Sequence, residues 1–354
     1  MATIARRQFL SHTAVAAGVA AMEARAAAPA ASHPIGAAII GTAHPHAVGH
    51  LRTLRQSSNY EVLGVAEPDP ELRARAGKSP RWEGVPWTSV DKILRDDRVR
   101  MVCIETDPLA ALRYSHRVIV ANKHLKIDKP PGADLTALER LFQEAGRRNL
   151  LIQMGYVYRY NPAFRLAHRA IREGWLGRIR SAVCQMNDTL SPAGRRRLDT
   201  YPGGQMFEIC GHMIDALIWL LGAPNRVSPV LRHSDPVPDQ LEDDVLATFE
   251  FDLAVAVVKS HSLNGNRYFY VFGEEGSIQI DSPDRPTVRL VLSRPHGEFG
   301  AGVHDVPVGP STRYLPDVDD LAGAIREGRG VEFFTPEHDL AVQRALLQAS
   351  GVDV

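Results

Sequence analysis

The sequence predicts an α/β protein: an N-terminal doubly wound parallel sheet, then a C-terminal α+β domain built on a large, mainly antiparallel open sheet. Three observations carry this expectation. At 354 residues, 44% hydrophobic and 23% charged, the chain has a globular composition and exceeds what one core usually organises. Between Ile35 and Met154 short apolar runs alternate with helical patterns, and the runs lack the period-2 alternation of a half-exposed strand. Beyond Gly155 two long helical patterns give way to strand-like signals from Arg226 to about Val308.

The domain boundaries follow: a leader over 1–32, a first domain over 33–154 and a second over 155–354. In the first domain Ala37 to Gly41 reads as a buried strand and Ala47 to Gln56 as a helix. Glu61 to Ala66 is a strand ended by Glu67-Pro68-Asp69-Pro70, and Glu71 to Ala76 a short helix. Arg100 to Ile104, Leu125 to Ile127 and Leu150 to Met154 are further strands, with helices over Ala110 to Ala121 and Leu135 to Arg147 between them. In the second domain Ala163 to Glu173 and Met206 to Leu221 are helical. Strands then turn at Asn264-Gly265-Asn266 and Gly273-Glu274-Glu275-Gly276, and helices over Asp317 to Arg326 and Pro336 to Gln348 close the chain.

Composition excludes several functions. Lys+Arg and Asp+Glu both number 41, so the basic excess of a general nucleic-acid binder is missing. No apolar run reaches the roughly 18 residues of a membrane-spanning helix. Cys103, Cys184 and Cys210 are widely spaced and form no C-x-x-C pair, which argues against a disulfide framework or a zinc knuckle. The leader carries Arg6-Arg7-Gln8-Phe9-Leu10, a mildly apolar stretch from Thr13 to Met22, and small residues from Ala24 to Ala31. That order is the three-part plan of a secretory signal, and the paired arginines resemble a twin-arginine (Tat) signal. The resemblance implies the Tat export machinery as a partner and a periplasmic or secreted protein.

The first strand–helix turn, Gly41-Thr42-Ala43-His44-Pro45-His46, lies where a Rossmann domain carries G-x-G-x-x-G around a dinucleotide pyrophosphate. Only Gly41 stands; Ala43 and His46 occupy the other glycine positions, and Gly49 offers relief from crowding one turn later. Glu67 ends the second strand, where a carboxylate accepts hydrogen bonds from the ribose hydroxyls and repels a 2′-phosphate, favouring NAD over NADP. The alternatives are an ordinary turn and a Glu67 that caps the following helix. His46 and His50 have i,i+4 spacing beside His44, yet no Asp, Glu or Cys stands nearby in sequence to complete a ligand set, so no metal is expected.

Lys123-His124-Leu125-Lys126-Ile127-Asp128-Lys129-Pro130 resembles the G-K-H-V-x-x-E-K-P segment of the Gfo/Idh/MocA oxidoreductases. Thr106-Asp107-Pro108 has the spacing of that family's T-P loop, although Ala111 stands where a histidine is common. Gly155 to Pro162 resembles the Y-x-x-R-F/Y-x-P segment, and Glu173 to Ile179 the G-x-I/L-G-x-I turn. Gly203-Gly204, Glu208, His212 and Asp215 follow the G-G-x-x-x-D-x-x-x-H-x-x-D helix, with Glu208 in place of aspartate. The resemblance covers about residue 35 to the C-terminus.

It implies an NAD(P)-dependent oxidoreductase acting on a sugar, cyclitol or related polyol, with a homo-oligomeric assembly. Lys129, Glu208 and His212 are the implied catalytic cluster. Helical spacing puts Glu208 and His212 on one face, beside an apolar stripe of Ile209, Met213, Ala216, Leu217 and Leu220. Histidine has the pKa of a base near neutrality, and a lysine stabilises developing alkoxide charge. The implied cofactor contacts are Gly41, Thr42, Ala43, His44, His46, Glu67, Thr106, Lys129, Pro130 and Arg159; Tyr158 and Asp215 are substrate candidates. Against these stand blander readings: an exposed turn lysine, a buried helix histidine, a structural Asp215, and an Arg159 that packs. In the family the Lys129-Pro130 bond tends to be cis. Two other functions fit the same motifs, an NAD-dependent glycoside hydrolase of this superfamily and a non-catalytic ligand-binding relative.

Overall fold

The computed structural model describes residues 33–234 and 238–354. Residues 1–32, where the sequence leads one to expect a twin-arginine leader, lie outside the described residues.

The first domain places its five strands in parallel. They are β1 (Ile35–Ile40), β2 (Tyr60–Ala66), β3 (Val99–Ile104), β4 (His124–Ile127) and β5 (Ile152–Met154), in the order β2-β1-β3-β4-β5. Every residue of β1 is buried, as an uninterrupted apolar run requires when helices cover both faces. The helices are α1 (Ala47–Gln56), α2 (Pro70–Gly77), α3 (Val90–Arg95), α4 (Pro108–Val120) and α5 (Leu135–Arg147). Their starts are written locally: Asp69 caps α2, Asp107 caps α4 and Asp134 caps α5 with side-chain oxygens on backbone amides. Asp69, not Glu67, is therefore the cap of α2.

The second domain contains α6 (Pro162–Arg172), β6 (Ile179–Met186), α7 (Pro192–Leu198), α8 (Gln205–Ile209) and α9 (Gly211–Leu221). Strands β7 (Arg226–Arg232), β8 (Asp244–Glu250), β9 (Val255–His261), β10 (Arg267–Gly273), β11 (Gly276–Ile280), β12 (Thr287–Leu292) and β13 (Gly302–Pro307) follow, then α10 (Leu315–Glu327) and α11 (Pro336–Ala349). The eight strands run in the order β13-β12-β11-β10-β6-β9-β8-β7. Only the β6–β9 pair is parallel, so the expected mainly antiparallel sheet is present. Its central strand, β6, is not among the expected elements. Arg180, Ser181 and Gln185 give it poor strand character, and pairing with β10 on one side and β9 on the other makes it a strand.

The expected helix from Met206 to Leu221 is broken at Cys210 into α8 and α9. Nor is α9 a stripe with a polar side: Gly211 to Ile218 are all buried. Helix α10 packs back on the first domain, where Tyr60 Oη donates to the Val318 carbonyl at 2.7 Å.

A candidate active site between the two sheets

The strand order reverses between β1 and β3, and at such a switch point the turns beyond the strand ends leave a crevice for a dinucleotide. Gly41 closes β1 there with φ +101°, and a Cβ on it would lie 2.3 Å from the Thr106 amide nitrogen. Only glycine lets these two strand ends approach so closely. Thr42 and Ala43 are partly exposed, leaving the turn accessible. Glu67 sits beside it, accepting from the Thr42 amide (2.5 Å), the Thr42 hydroxyl (2.8 Å) and the Asp69 amide (2.9 Å). Thr106 is buried, its hydroxyl donating to the Asp107 carbonyl at 3.2 Å. The Lys129–Pro130 bond is cis.

Lys129 projects from the end of β4 into a cleft shared with His46, Tyr158, Glu208 and His212. Its ammonium donates to the Glu208 carbonyl at 2.6 Å and stands 3.9 Å from the Glu208 carboxylate. That carbonyl lies at the α8–α9 break, so the interruption of the helix supplies the acceptor that holds the lysine. The His212 ring faces the Tyr158 ring at 5.1 Å and stacks with His46 at 6.1 Å. Its Nδ1 is buried without a hydrogen-bond partner. Burial, helped by the Lys129 ammonium and by His46, holds the His212 imidazole well below its ordinary value, so it is neutral and available as a base. The Glu208 carboxylate receives Arg197 at 3.4 Å.

The rest of the cleft was not legible in the sequence. Asp188, Arg197, Arg267, Arg313 and Tyr314 line it, brought in by the β6 end, α7, the β10 start and the segment before α10. Tyr314 has φ +67°, an unusual conformation for an aromatic residue. Its ring is 4.3 Å from that of His50, and a Cβ on Gly49 would lie 2.7 Å from it. Gly49 thus makes room for Tyr314 rather than for His46.

Two expected site residues fall elsewhere. Arg159 is fully buried and does not line the cleft: it donates to Asp215 at 2.5 Å, to Asp339 at 2.6 Å and to the Phe333 carbonyl at 2.8 Å. Asp215, the substrate candidate, is the partner in that buried pair and also lies 3.2 Å from His338 Nε2, turned away from the cleft. The reason is shared: α9 is buried on nearly every side, so its aspartate is matched by an arginine inside the protein.

The argument against metal ligands is also corrected. Asp128 and Glu105, distant in sequence, stand at the ends of β4 and β3 directly against the histidines. Asp128 Oδ2 is 2.9 Å from His46 Nδ1 and 3.1 Å from His44 Nδ1, and Glu105 is hydrogen-bonded to His50. His44 turns its ring inward, with Nε2 3.1 Å from the Lys129 carbonyl. Burial lowers His46 and His50 to about 4. In His44 the neighbouring Asp128, Glu208 and Glu105 outweigh burial and raise the value. Burial and Asp128 raise Glu105 well above the carboxylate range.

Comparison with known proteins agrees with this geometry. Residues 35–156 match the model of an oxidoreductase family with an NAD-binding Rossmann fold, and residues 164–279 match the Gfo/Idh/MocA C-terminal domain. The levoglucosan dehydrogenase of Pseudarthrobacter phenanthrenivorans is 26% identical over 319 residues, covering 75% of this chain and 81% of its own. A dTDP-3,4-didehydro-2,6-dideoxy-alpha-D-glucose 3-reductase of Actinomadura kijaniata is 28% identical over 207 residues, 58% of this chain and 62% of its own. Among solved structures, a levoglucosan dehydrogenase in complex with NADH and levoglucosan superimposes with a TM-score of 0.76 at 20% identity, over 90% of this chain and 97% of that one. The aldose-aldose oxidoreductase of Caulobacter crescentus, complexed with glycerol, has the same score and identity, over 90% and 98%.

Proposed function

The chain belongs to the Gfo/Idh/MocA oxidoreductase family, and on that premise we propose that it moves hydride between NAD and a sugar, cyclitol or related polyol bound in the cleft beside Lys129 and His212. The observation that carries this reading is the meeting of those two side chains, from opposite domains, in one cleft. The crevice suits the cofactor: an accessible turn after β1, a small Ala43, and a carboxylate at the end of β2. Glu67 favours NAD over NADP there, because it repels a 2′-phosphate.

When bound, the nicotinamide supplies the hydride acceptor. The protein supplies the rest. Lys129, held by the Glu208 carbonyl, is positioned to donate to the reacting oxygen and offset its developing charge. His212, neutral in its buried setting, takes the hydroxyl proton. Glu208 anchors the lysine through its backbone and draws Arg197 to the cleft wall through its carboxylate. Tyr158 packs against His212 and fixes its ring. The names of the relatives support a carbohydrate substrate, since they act on an anhydrosugar and a nucleotide-linked sugar.

The leader supports export by the twin-arginine route, which delivers folded proteins with cofactor already in place. Outside the cytoplasm that cofactor is retained and recycled between two substrates. The half-exposed outer side of β8 and β9 supports pairing of the open sheet with a second copy. The test is mass spectrometry of nucleotide released from protein purified after cytoplasmic expression, followed by a sugar and cyclitol screen. Release of NAD(H) and turnover of a free polyol are expected. A protein that neither carries nor takes up either nicotinamide nucleotide overturns the reading.

A further inference from the structure

Beneath the cleft the turn from β1 into α1 spells H-x-H-x-x-x-H, and its three imidazoles converge on one carboxylate. Asp128 Oδ2 lies 3.1 Å from His44 Nδ1, 2.9 Å from His46 Nδ1 and 3.7 Å from His50 Nδ1. Glu105 closes the cluster, with Oε1 against His50 and Oε2 at 3.8 Å from His44 Nδ1. Two triads, His44–His46–Asp128 and His50–Glu105–Asp128, each hold their donor atoms within 4.8 Å of one another.

Hydrogen bonding alone leaves this cluster unsatisfied. A carboxylate oxygen offers two lone pairs, and those of Asp128 Oδ2 are taken up by His44 Nδ1 at 3.1 Å and His46 Nδ1 at 2.9 Å, while His50 Nε2 is buried without a hydrogen-bond partner. Glu105 Oε2 is buried and has no hydrogen-bond partner. Asp128 Oδ1 accepts from the Lys129 backbone amide at 2.7 Å, but among the described residues no lysine or arginine side chain pairs with either carboxylate: the buried Lys126 is bound to Asp317 at 2.6 Å and the Lys129 ammonium to the Glu208 carbonyl. Buried carboxylates are paired or coordinate metals.

We propose that His44, His46, His50, Glu105 and Asp128 form a binding site for one divalent first-row transition-metal ion at the floor of the cleft. Mixed imidazole and carboxylate donors suit zinc, manganese, iron or cobalt and disfavour soft cuprous copper. The 3.1 Å contact from His44 Nε2 to the Lys129 carbonyl is the outer-sphere bond that orients a metal-binding imidazole. Of the five residues His46 alone is partly exposed, and it lines the cleft, so the ion is reached from the substrate side. The inference stands independently of hydride transfer, because metal content is read without substrate or nucleotide.

The experiment is elemental analysis of the full-length protein purified without chelators, and again after chelation and incubation with Zn2+, Mn2+ or Co2+. About one ion per chain is expected, with visible ligand-field bands for the cobalt form. Glu105→Gln and His46→Asn should each lower retention at least about tenfold. His46 is partly exposed, so its variant keeps the test decisive if Glu105→Gln fails to fold. Metal-free protein that takes up none of the three ions, or metal content unchanged in the folded variants, overturns the proposal.

Discussion

At the scale of single residues the account rests on His212. Its pKa is lowered by burial and by the Lys129 charge, so the base form persists below neutrality and is lost only as pH falls through the depressed value. The acid limb of kcat/KM for alcohol oxidation should therefore lie below pH 6.5; a limb at or above pH 7 contradicts this assignment. His212→Asn should lower kcat by about 10²–10⁴-fold with nucleotide affinity unchanged, and Lys129→Met by about 10²–10³-fold, both measured by steady-state kinetics and nucleotide titration. That Lys129, Glu208 and His212 share one cleft was legible because they lie in motifs of the resembled family. For Arg159 and Asp215 the geometry favours the blander readings, packing and structure, because a motif shows which residues recur and not which way a buried helix turns them. Arg267, Arg313 and Tyr314 were invisible, since their place in the cleft depends on how the second sheet crosses the first domain.

Elements explain how those side chains are held. The break between α8 and α9 frees the carbonyl that anchors Lys129, and a sequence whose apolar pattern runs through Cys210 gives no sign of it. Strand β6 was hidden for a related reason: a central strand is stabilised by pairing on both edges, which one sequence does not display. Most elements of the first domain, by contrast, were readable nearly to their ends, because buried apolar runs and Asp caps are local signals; the short α3 was not among the expected elements. The turn that closes β1 was readable too, and it is tightly constrained. Gly41→Ala places a Cβ against the Thr106 amide at a positive φ. It should destabilise the protein by about 2 kcal/mol or more and weaken nucleotide binding. Chemical denaturation and nucleotide titration check this, and a variant with unchanged stability contradicts the close approach.

Across the whole molecule the two domains are joined by polar contacts that neither sequence half reveals. Lys126, fully buried in β4, donates to Asp317 of α10 at 2.6 Å and to Gln153 at 3.0 Å, so the last helices brace the first sheet. Removing one partner strands a buried charge: Asp317→Ala should cost about 3–5 kcal/mol in urea unfolding, and a loss under about 1 kcal/mol would show the pair to be dispensable. This bracing ties α10 to the first sheet, and hydride transfer requires a fixed geometry about that sheet's crevice. The most direct test loads the protein with NAD+ and adds a polyol substrate deuterated at its carbinol carbon. The account predicts that the absorbance of reduced nicotinamide appears in step with deuterium in the recovered cofactor. Cleavage of nitrophenyl glycosides with no net reduction of NAD, or a nucleotide that never acquires the label, would contradict it.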